Sequence, residues 1–154
     1  MTSALLWFCA LGCGLMAGLY FAFSVFIMSA LDRLGAAAGA AAMNAINTVI
    51  LRSLFMPLFL LTSLASLVLA AIGVLRWGEP GAGLLIAGGL CYFVGMFVVT
   101  VVFNVPLNNQ LQVSQVSDVE TNWRRYLIAW TRWNHVRTLA SLVASALFIA
   151  ALVA

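Results

Sequence analysis

The chain has 154 residues, of which 65% are hydrophobic and only 7% are charged. Soluble domains are about 45–50% apolar and about 25% charged, so these residues cannot cover a surface that faces water. The composition excludes a soluble domain, a disordered chain and a secreted disulfide scaffold, and it predicts an integral membrane protein. The net charge of +3 comes without the clustered basic residues that nucleic-acid binding requires.

Four apolar stretches predict transmembrane helices at residues 4–31, 53–75, 82–103 and 134–154. A helix needs about 20 apolar residues to cross the hydrocarbon core of a bilayer. The first stretch is much longer than the apolar core of a cleaved signal peptide and lacks its basic start. We therefore expect a single transmembrane domain over residues 1–154.

The second and fourth helices are expected to extend beyond the hydrocarbon. Ser117 and Glu120 have the spacing of a capping box, which predicts that the fourth helix starts near residue 118. No helix breaker interrupts residues 40–50, so the second helix is expected to begin early, and Pro57 is expected to kink it. The predicted fold is an all-α membrane four-helix bundle with amphipathic extensions of helices 2 and 4 on one side.

Four crossings place both termini and the short turn at residues 76–81 on one side of the membrane. The loops at residues 32–52 and 104–135 then lie on the other side. Six of the seven arginines flank these two loops, which predicts that they are cytoplasmic.

Small residues at four-residue spacing predict close helix packing in the first and third helices. They are Ala10, Gly14, Gly18 and Ala22, and Gly83, Ala87, Cys91 and Gly95.

The fourth helix carries an unusual polar face. At about 100° per residue, one face collects aromatic, amide and guanidinium side chains: Trp123, Tyr126, Trp130, Trp133, Asn134, Arg137 and Ser141. The alternative interpretation is that Arg137 extends its charge to the membrane surface and that the Trp and Tyr residues form an interfacial aromatic belt. Asparagines at a similar depth on other helices favour a pocket, because polar groups inside a membrane are costly. They are Asn44, Asn47, Asn104 and Asn108.

His135 is the only histidine and the side chain best suited to proton transfer near neutral pH. On an ideal helix it points away from Tyr126, so either the helix bends or His135 lies outside the site, and the second interpretation is slightly favoured. One histidine and three scattered cysteines make a poor set of metal ligands, so no metal is expected.

Four blocks of sequence together resemble the anthrone oxygenase-like family of small four-helix membrane proteins, over essentially the whole chain. The blocks are AGLYFAFS at residues 17–24, MNAIN at 43–47, FNVPLNN at 103–109, and residues 126–130 leading into WNHVRT at 133–138. Ser29 follows Met28 where a proline would be expected in this family.

The resemblance implies oxygenation of a tricyclic anthrone to an anthraquinone by dioxygen, without metal, flavin or other cofactor, in a bacterial inner membrane. The expected catalytic residues are Arg137, Asn134 and His135. The expected substrate-binding residues are Asn104, Asn108, Tyr126, Trp130, Trp133, Asn47 and Tyr20. The expected partners are the lipid bilayer, a small apolar or aromatic ligand, and dioxygen. A non-catalytic binder of a quinone, phenol or lipid would use the same pocket, whereas a purely structural bundle would need no buried polar cluster.

Overall fold

The computed structural model describes residues 2–114 and 118–154, which form five helices and contain no strand. We label them α1 (Ser3–Asp32), α2 (Ala36–Ile50), α3 (Phe55–Leu75), α4 (Ala82–Gln112) and α5 (Val119–Val153). The predicted all-α fold is confirmed.

Helices α1, α3, α4 and α5 are each long and apolar enough to cross a membrane. They pack in a closed ring, in which α1 contacts α5 and α3, and α4 contacts the same two helices. Large apolar side chains such as Leu11, Leu15 and Leu61 lie on the outside of this ring. Such a surface is stable only against lipid, which confirms an integral membrane four-helix bundle.

The predicted extension of the second membrane helix is instead a separate helix, α2. Residues 51–54 form a turn between α2 and α3, in which the hydroxyl of Ser53 accepts a 3.2 Å hydrogen bond from the N–H of Phe55. At its other end, α2 follows a tight turn through Gly35, whose φ of 86° is open to glycine but strained for other residues. Helix α2 packs across α5 and the ends of α1 and α4, and thereby covers one end of the bundle.

The expected kink at Pro57 is wrong, because α3 begins only at Phe55. Pro57 therefore lies in the first helical turn, where backbone N–H groups have no carbonyl partner within the helix. A proline costs little at such a position.

Helix α5 begins at Val119, as the sequence predicts. The proposed cap, Ser117, lies outside the described residues. Asp118 occupies the position before the helix and makes no capping hydrogen bond with its side chain. In the first turns of α5, Glu120 accepts a 3.0 Å hydrogen bond from Arg124.

The core has two apolar clusters. Along α5 they are separated by the buried polar side chains of Asn134, Arg137, Thr138 and Ser141. One lies among the four membrane helices and includes Met16, Leu69 and Phe148. The other lies beneath α2 and includes Met43 and Trp123. Trp123 donates a 3.0 Å hydrogen bond from its indole N–H to Asp32, which ties the end of α1 to α5.

The predicted small-residue packing is correct only in part. Gly95 lies directly against Ala140, and an added Cβ at Gly14 would lie 3.4 Å from the hydroxyl of Ser145. Gly83 and Ala87, however, are exposed on the outer surface, so that part of the prediction is wrong.

The turn before α4 and the end of the chain lie together, as four crossings require. An added Cβ at Gly81 would lie 3.5 Å from the Cβ of Ala154. The cytoplasmic placement of the long loops stays a prediction.

Candidate functional site

A cavity of about 550 Å³ lies between α2 and the membrane helices. Its size suits a drug-sized or tricyclic ligand. Its walls are largely apolar, with aromatic rings from Phe55, Phe59 and Phe97 on one side. The polar or aromatic hydrogen-bonding side chains that line it are Tyr20, Asn44, Asn47, Thr48, Thr100, Asn108, Asn109, Gln112, Trp130 and Arg137.

Arg137 lines this cavity although its side chain is almost fully enclosed by protein, with 4% of the residue surface exposed. Its Nη2 donates a 2.7 Å hydrogen bond to the Oδ1 of Asn134, and its Nη1 donates a 3.4 Å hydrogen bond to the hydroxyl of Thr100. Its Nε is buried and has no protein partner within the described residues. At least one N–H of the guanidinium is therefore left without a protein acceptor in the described part of the chain.

The positive charge of Arg137 is held between aromatic rings. Its Cζ lies 4.3 Å from the ring centroid of Tyr20 and 5.0 Å from that of Trp130. Such cation–π contacts stabilise a desolvated guanidinium. Within residues 2–114 and 118–154, no carboxylate pairs with Arg137. A buried cation without an acidic partner favours binding of an anionic or electron-rich group.

Asn134 fixes the position of Arg137. It is fully buried, and its Nδ2 donates 2.7 Å hydrogen bonds both to the carbonyl of Tyr20 and to the hydroxyl of Ser24 on α1. Its Oδ1 accepts the bond from Arg137. Both the Oδ1 and the Nδ2 of Asn134 are therefore hydrogen-bonded to protein groups, so this side chain can orient the arginine. Asn134 does not itself line the cavity.

Trp130 and Tyr20 form the walls next to the guanidinium. The indole N–H of Trp130 is buried and has no acceptor in the described structure. The hydroxyl of Tyr20 donates to the sulfur of Met96 at 3.5 Å. Trp130 thus adds a second donor without an acceptor among the described residues, on a ring whose centroid lies 5.0 Å from the Cζ of Arg137.

Local widening of two helices places several of these groups. Residues Phe23–Ile27 of α1 and Phe93–Val98 and Thr100–Asn104 of α4 are π-helical, a conformation that is frequent at functional sites. Pro106 follows the last of these segments and has no N–H to donate to the preceding turn, which favours the wider backbone. The widened turns carry Phe97 and Thr100, which line the cavity.

Asn108 and Tyr126 are neighbours at the edge of the cavity. Tyr126 donates a 2.8 Å hydrogen bond to the Oδ1 of Asn108. Asn108 lines the cavity, and Tyr126 lies behind it, stacked between Trp123 and Trp130. Tyr126 therefore supports Asn108 and Trp130 from outside the cavity.

Five of the residues selected from the sequence do not line the cavity. Two of them, Asn134 and Tyr126, are described above, and the others are Asn104, Trp133 and His135. Asn104 is buried and donates a 3.3 Å hydrogen bond to the carbonyl of Trp130. Trp133 stacks on Phe103, with centroids 3.7 Å apart and ring planes within 8°. His135 is exposed on the opposite face of α5. The structure does not bring this imidazole to the site.

Five polar residues that line the cavity were not among the catalytic or substrate-binding residues expected from the sequence: Asn44, Thr48, Thr100, Asn109 and Gln112. Asn44 belongs to the MNAIN block and lies one turn from Asn47, so its spacing was a usable signal. Thr100 stands in an apolar stretch, and no sequence signal marked it. No cluster of three metal-ligating side chains was found among the described residues.

The fold and the site together define a helical membrane protein with a largely apolar cavity and a buried arginine. A sequence model of the anthrone oxygenase family matches residues 47–147, which include Trp130 and Arg137. The chain belongs to this family. Comparisons with curated proteins and with solved structures found no match.

Proposed function

We propose that this protein is a membrane-embedded oxygenase that converts an anthrone-like or phenolic carbon acid into a quinone with dioxygen and without a cofactor. The observation that carries the proposal is the buried cation of Arg137, which lines the cavity and has neither an acceptor for its Nε nor an acidic partner among the described residues. Membership of the anthrone oxygenase family supports the same reaction class.

Arg137 suits a reaction in which negative charge develops on a substrate oxygen. An anthrone that loses a proton from its methylene carbon becomes an enolate, with much of its charge on the ketone oxygen. The Nε of Arg137 and the indole N–H of Trp130 have no acceptor in the described structure, and we assign both donors to that oxygen. Donors already held in place in an apolar site stabilise such charge more effectively than water does.

The apolar walls of the cavity suit the ring system of the substrate and the apolar molecule dioxygen. A flat ring system would pack on the aromatic side chains of Trp130, Phe59 and Phe97. Dioxygen would bond to the carbanion carbon, and the resulting peroxide would take up a proton. Loss of the second hydrogen from that carbon, with cleavage of the O–O bond, would leave a ketone and one water. Each substrate molecule therefore consumes one molecule of dioxygen.

A non-catalytic binder of a quinone, phenol or lipid is the second candidate, and one observation favours it. Among the described residues that line the cavity, the only ionisable side chains are Tyr20 and Arg137. Neither a carboxylate nor an imidazole is present there to accept the methylene proton. A binder would need no such base.

Incubating the protein in lipid nanodiscs with an anthrone in air would separate the two candidates. The oxygenase predicts quinone formation well above the rate without protein, with one dioxygen consumed per quinone. It also predicts that oxygen from labelled dioxygen enters the new carbonyl. Saturable binding without any acceleration would support the binder, and stoichiometric iron, copper or haem in the active preparation would contradict a cofactor-independent mechanism.

A further inference from the structure

The cavity beside Arg137 is open on one side of the bundle. Helix α3 packs against α4 along residues 82–98, but its contact with residues 100–112 is marginal. A side chain that lines the cavity and is also exposed on the outer surface of the bundle lies at the rim of an opening. Three apolar side chains at this gap meet both conditions: Leu60 of α3, and Val101 and Val105 of α4. The cavity therefore opens sideways between α3 and α4.

This opening lies at the depth of the hydrocarbon layer. Helix α3 has 21 residues, which is about 31 Å of helix and matches the ~30 Å hydrocarbon core of a bilayer. Leu60 lies in the second turn of α3, inside that length. Two neighbours of the rim, Leu61 on α3 and Val102 on α4, are exposed on the same outer surface. This part of the surface faces lipid rather than water.

The opening leads directly to the guanidinium group. Thr100 lines the cavity and accepts a 3.4 Å hydrogen bond from the Nη1 of Arg137, and its chain neighbour Val101 is at the rim. Leucine and valine side chains offer no hydrogen bonds to water. A flat apolar ring, by contrast, passes from lipid to the cavity without leaving an apolar environment.

A second route into the cavity has a different chemistry. Further along α4, and at the end of α2, the lining includes exposed polar side chains: Thr48, Asn109 and Gln112. A ligand dissolved in water would enter at this polar end, whereas a ligand dissolved in the bilayer would enter between α3 and α4.

We infer that the gap between α3 and α4 is a lateral portal, through which an apolar ligand dissolved in the bilayer reaches Arg137. The inference rests on the proposed function only for the identity of the ligand, because an oxygenase and a binder would use the same route. A tricyclic aromatic molecule partitions into hydrocarbon, so the bilayer concentrates it at the rim of the portal. The protein thus takes its ligand from the membrane.

Thiol accessibility in lipid nanodiscs tests the portal without a ligand and without turnover. Thr100→Cys places a thiol inside the cavity, in a Cys91→Ala background that removes the partly exposed native cysteine. The reagents are a maleimide on a long saturated alkyl chain, which stays in the bilayer, and a maleimide that carries a sulfonate, which stays in water. Each rate is normalised to that of the same variant in denaturing detergent. We expect the alkyl maleimide to react several-fold faster than the sulfonated one. Thr62→Cys, fully buried away from the cavity, is the control and should resist both.

Narrowing the rim from α3 supplies a matched pair of variants. Leu60 and Leu61 are 50% and 54% exposed, but only Leu60 lines the cavity. Leu60→Trp should slow the reaction of the alkyl maleimide with the Thr100→Cys protein several-fold, because the larger ring obstructs the opening. Leu61→Trp adds the same bulk on the outer surface and should leave the rate unchanged.

The portal is overturned if the sulfonated maleimide is the faster reagent, or if the two tryptophan substitutions have equal effects. Phe59→Cys gives a second thiol on the cavity wall, and a folded protein in which neither position reacts with the alkyl maleimide would also overturn it. Entry of the alkyl maleimide into a protein that does not oxygenate an anthrone would contradict the proposed function and leave the portal intact. Oxygenation by the native protein, with entry of the sulfonated maleimide alone, would do the reverse.

Discussion

The Oδ1 of Asn134 accepts a 2.7 Å hydrogen bond from the Nη2 of Arg137, one turn further along α5. The same amide is anchored to α1 through the carbonyl of Tyr20 and the hydroxyl of Ser24. A long cationic side chain on a membrane helix otherwise extends its charge towards water. Asn134 thus keeps the guanidinium inside the bundle, next to the cavity.

Asn134→Ala should lower turnover far more than it changes the affinity for substrate. The alanine leaves Arg137 in place but removes the acceptor that orients it, and a misplaced donor stabilises the transition state poorly. The measurement is kcat and KM for quinone formation, with thermal unfolding recorded in parallel. Asn122→Ala, nearer the start of α5, is the control and should keep both constants. An unchanged kcat in a folded Asn134→Ala protein would contradict the positioning role.

Arg137→Lys should reduce turnover nearly as much as Arg137→Ala. A lysine keeps the positive charge but loses the planar group that lies between Tyr20 and Trp130, and it cannot bond Asn134 and Thr100 while it also offers an Nε donor. The rates of quinone formation by the two variants, measured with saturating substrate, compare the two losses of turnover. A lysine variant with the native rate would show that charge alone is sufficient.

His135→Ala should leave turnover essentially unchanged. The imidazole is exposed on the face of α5 opposite the cavity, and it does not line the cavity. The rate of quinone formation across neutral pH is the measurement. A large loss of rate in this variant would instead support the sequence-based expectation that His135 takes part in catalysis.

Gly89→Ala should destabilise the bundle by about 1–3 kcal/mol, the usual effect of overpacking a close contact. An added Cβ would lie 2.7 Å from the Cβ of Ala70 and against the carbonyl of Ser66 on α3. Gly83→Ala on the same helix is the matched control, since no atom lies within 4 Å of its added Cβ. Unfolding by denaturant in mixed micelles would compare them, and equal stability of the two variants would contradict the close packing of α3 on α4.

The composition and the helical period were enough to predict the membrane bundle and much of the face of α5. Four apolar stretches are a strong signal because few other structures satisfy the backbone inside lipid. Trp130 and Arg137 were correctly predicted to lie together, because α5 is a regular helix. In such a helix the spacing of two residues in the sequence determines whether their side chains share a face. Trp133 was wrongly expected to line the pocket, because it lies at the margin of that face and stacks on Phe103 instead.

The structure of α4 could not be predicted in the same way. Two π-helical segments, Phe93–Val98 and Thr100–Asn104, change the direction of the side chains that follow them. Asn104 consequently bonds the backbone of Trp130 and does not line the cavity. The break before α3 had a clearer signal, because Ser53 and Pro57 are residues typical of a helix start.

Replacement of Arg137 by alanine tests the central claim most directly. Arg132→Ala is the matched control, because Arg132 is exposed on the same helix. With an anthrone in air, loss of one preorganised donor should lower the rate of quinone formation on the order of 10²–10³-fold, and Arg132→Ala should keep the native rate. A folded Arg137→Ala protein that turns over as fast as the native protein would contradict the account.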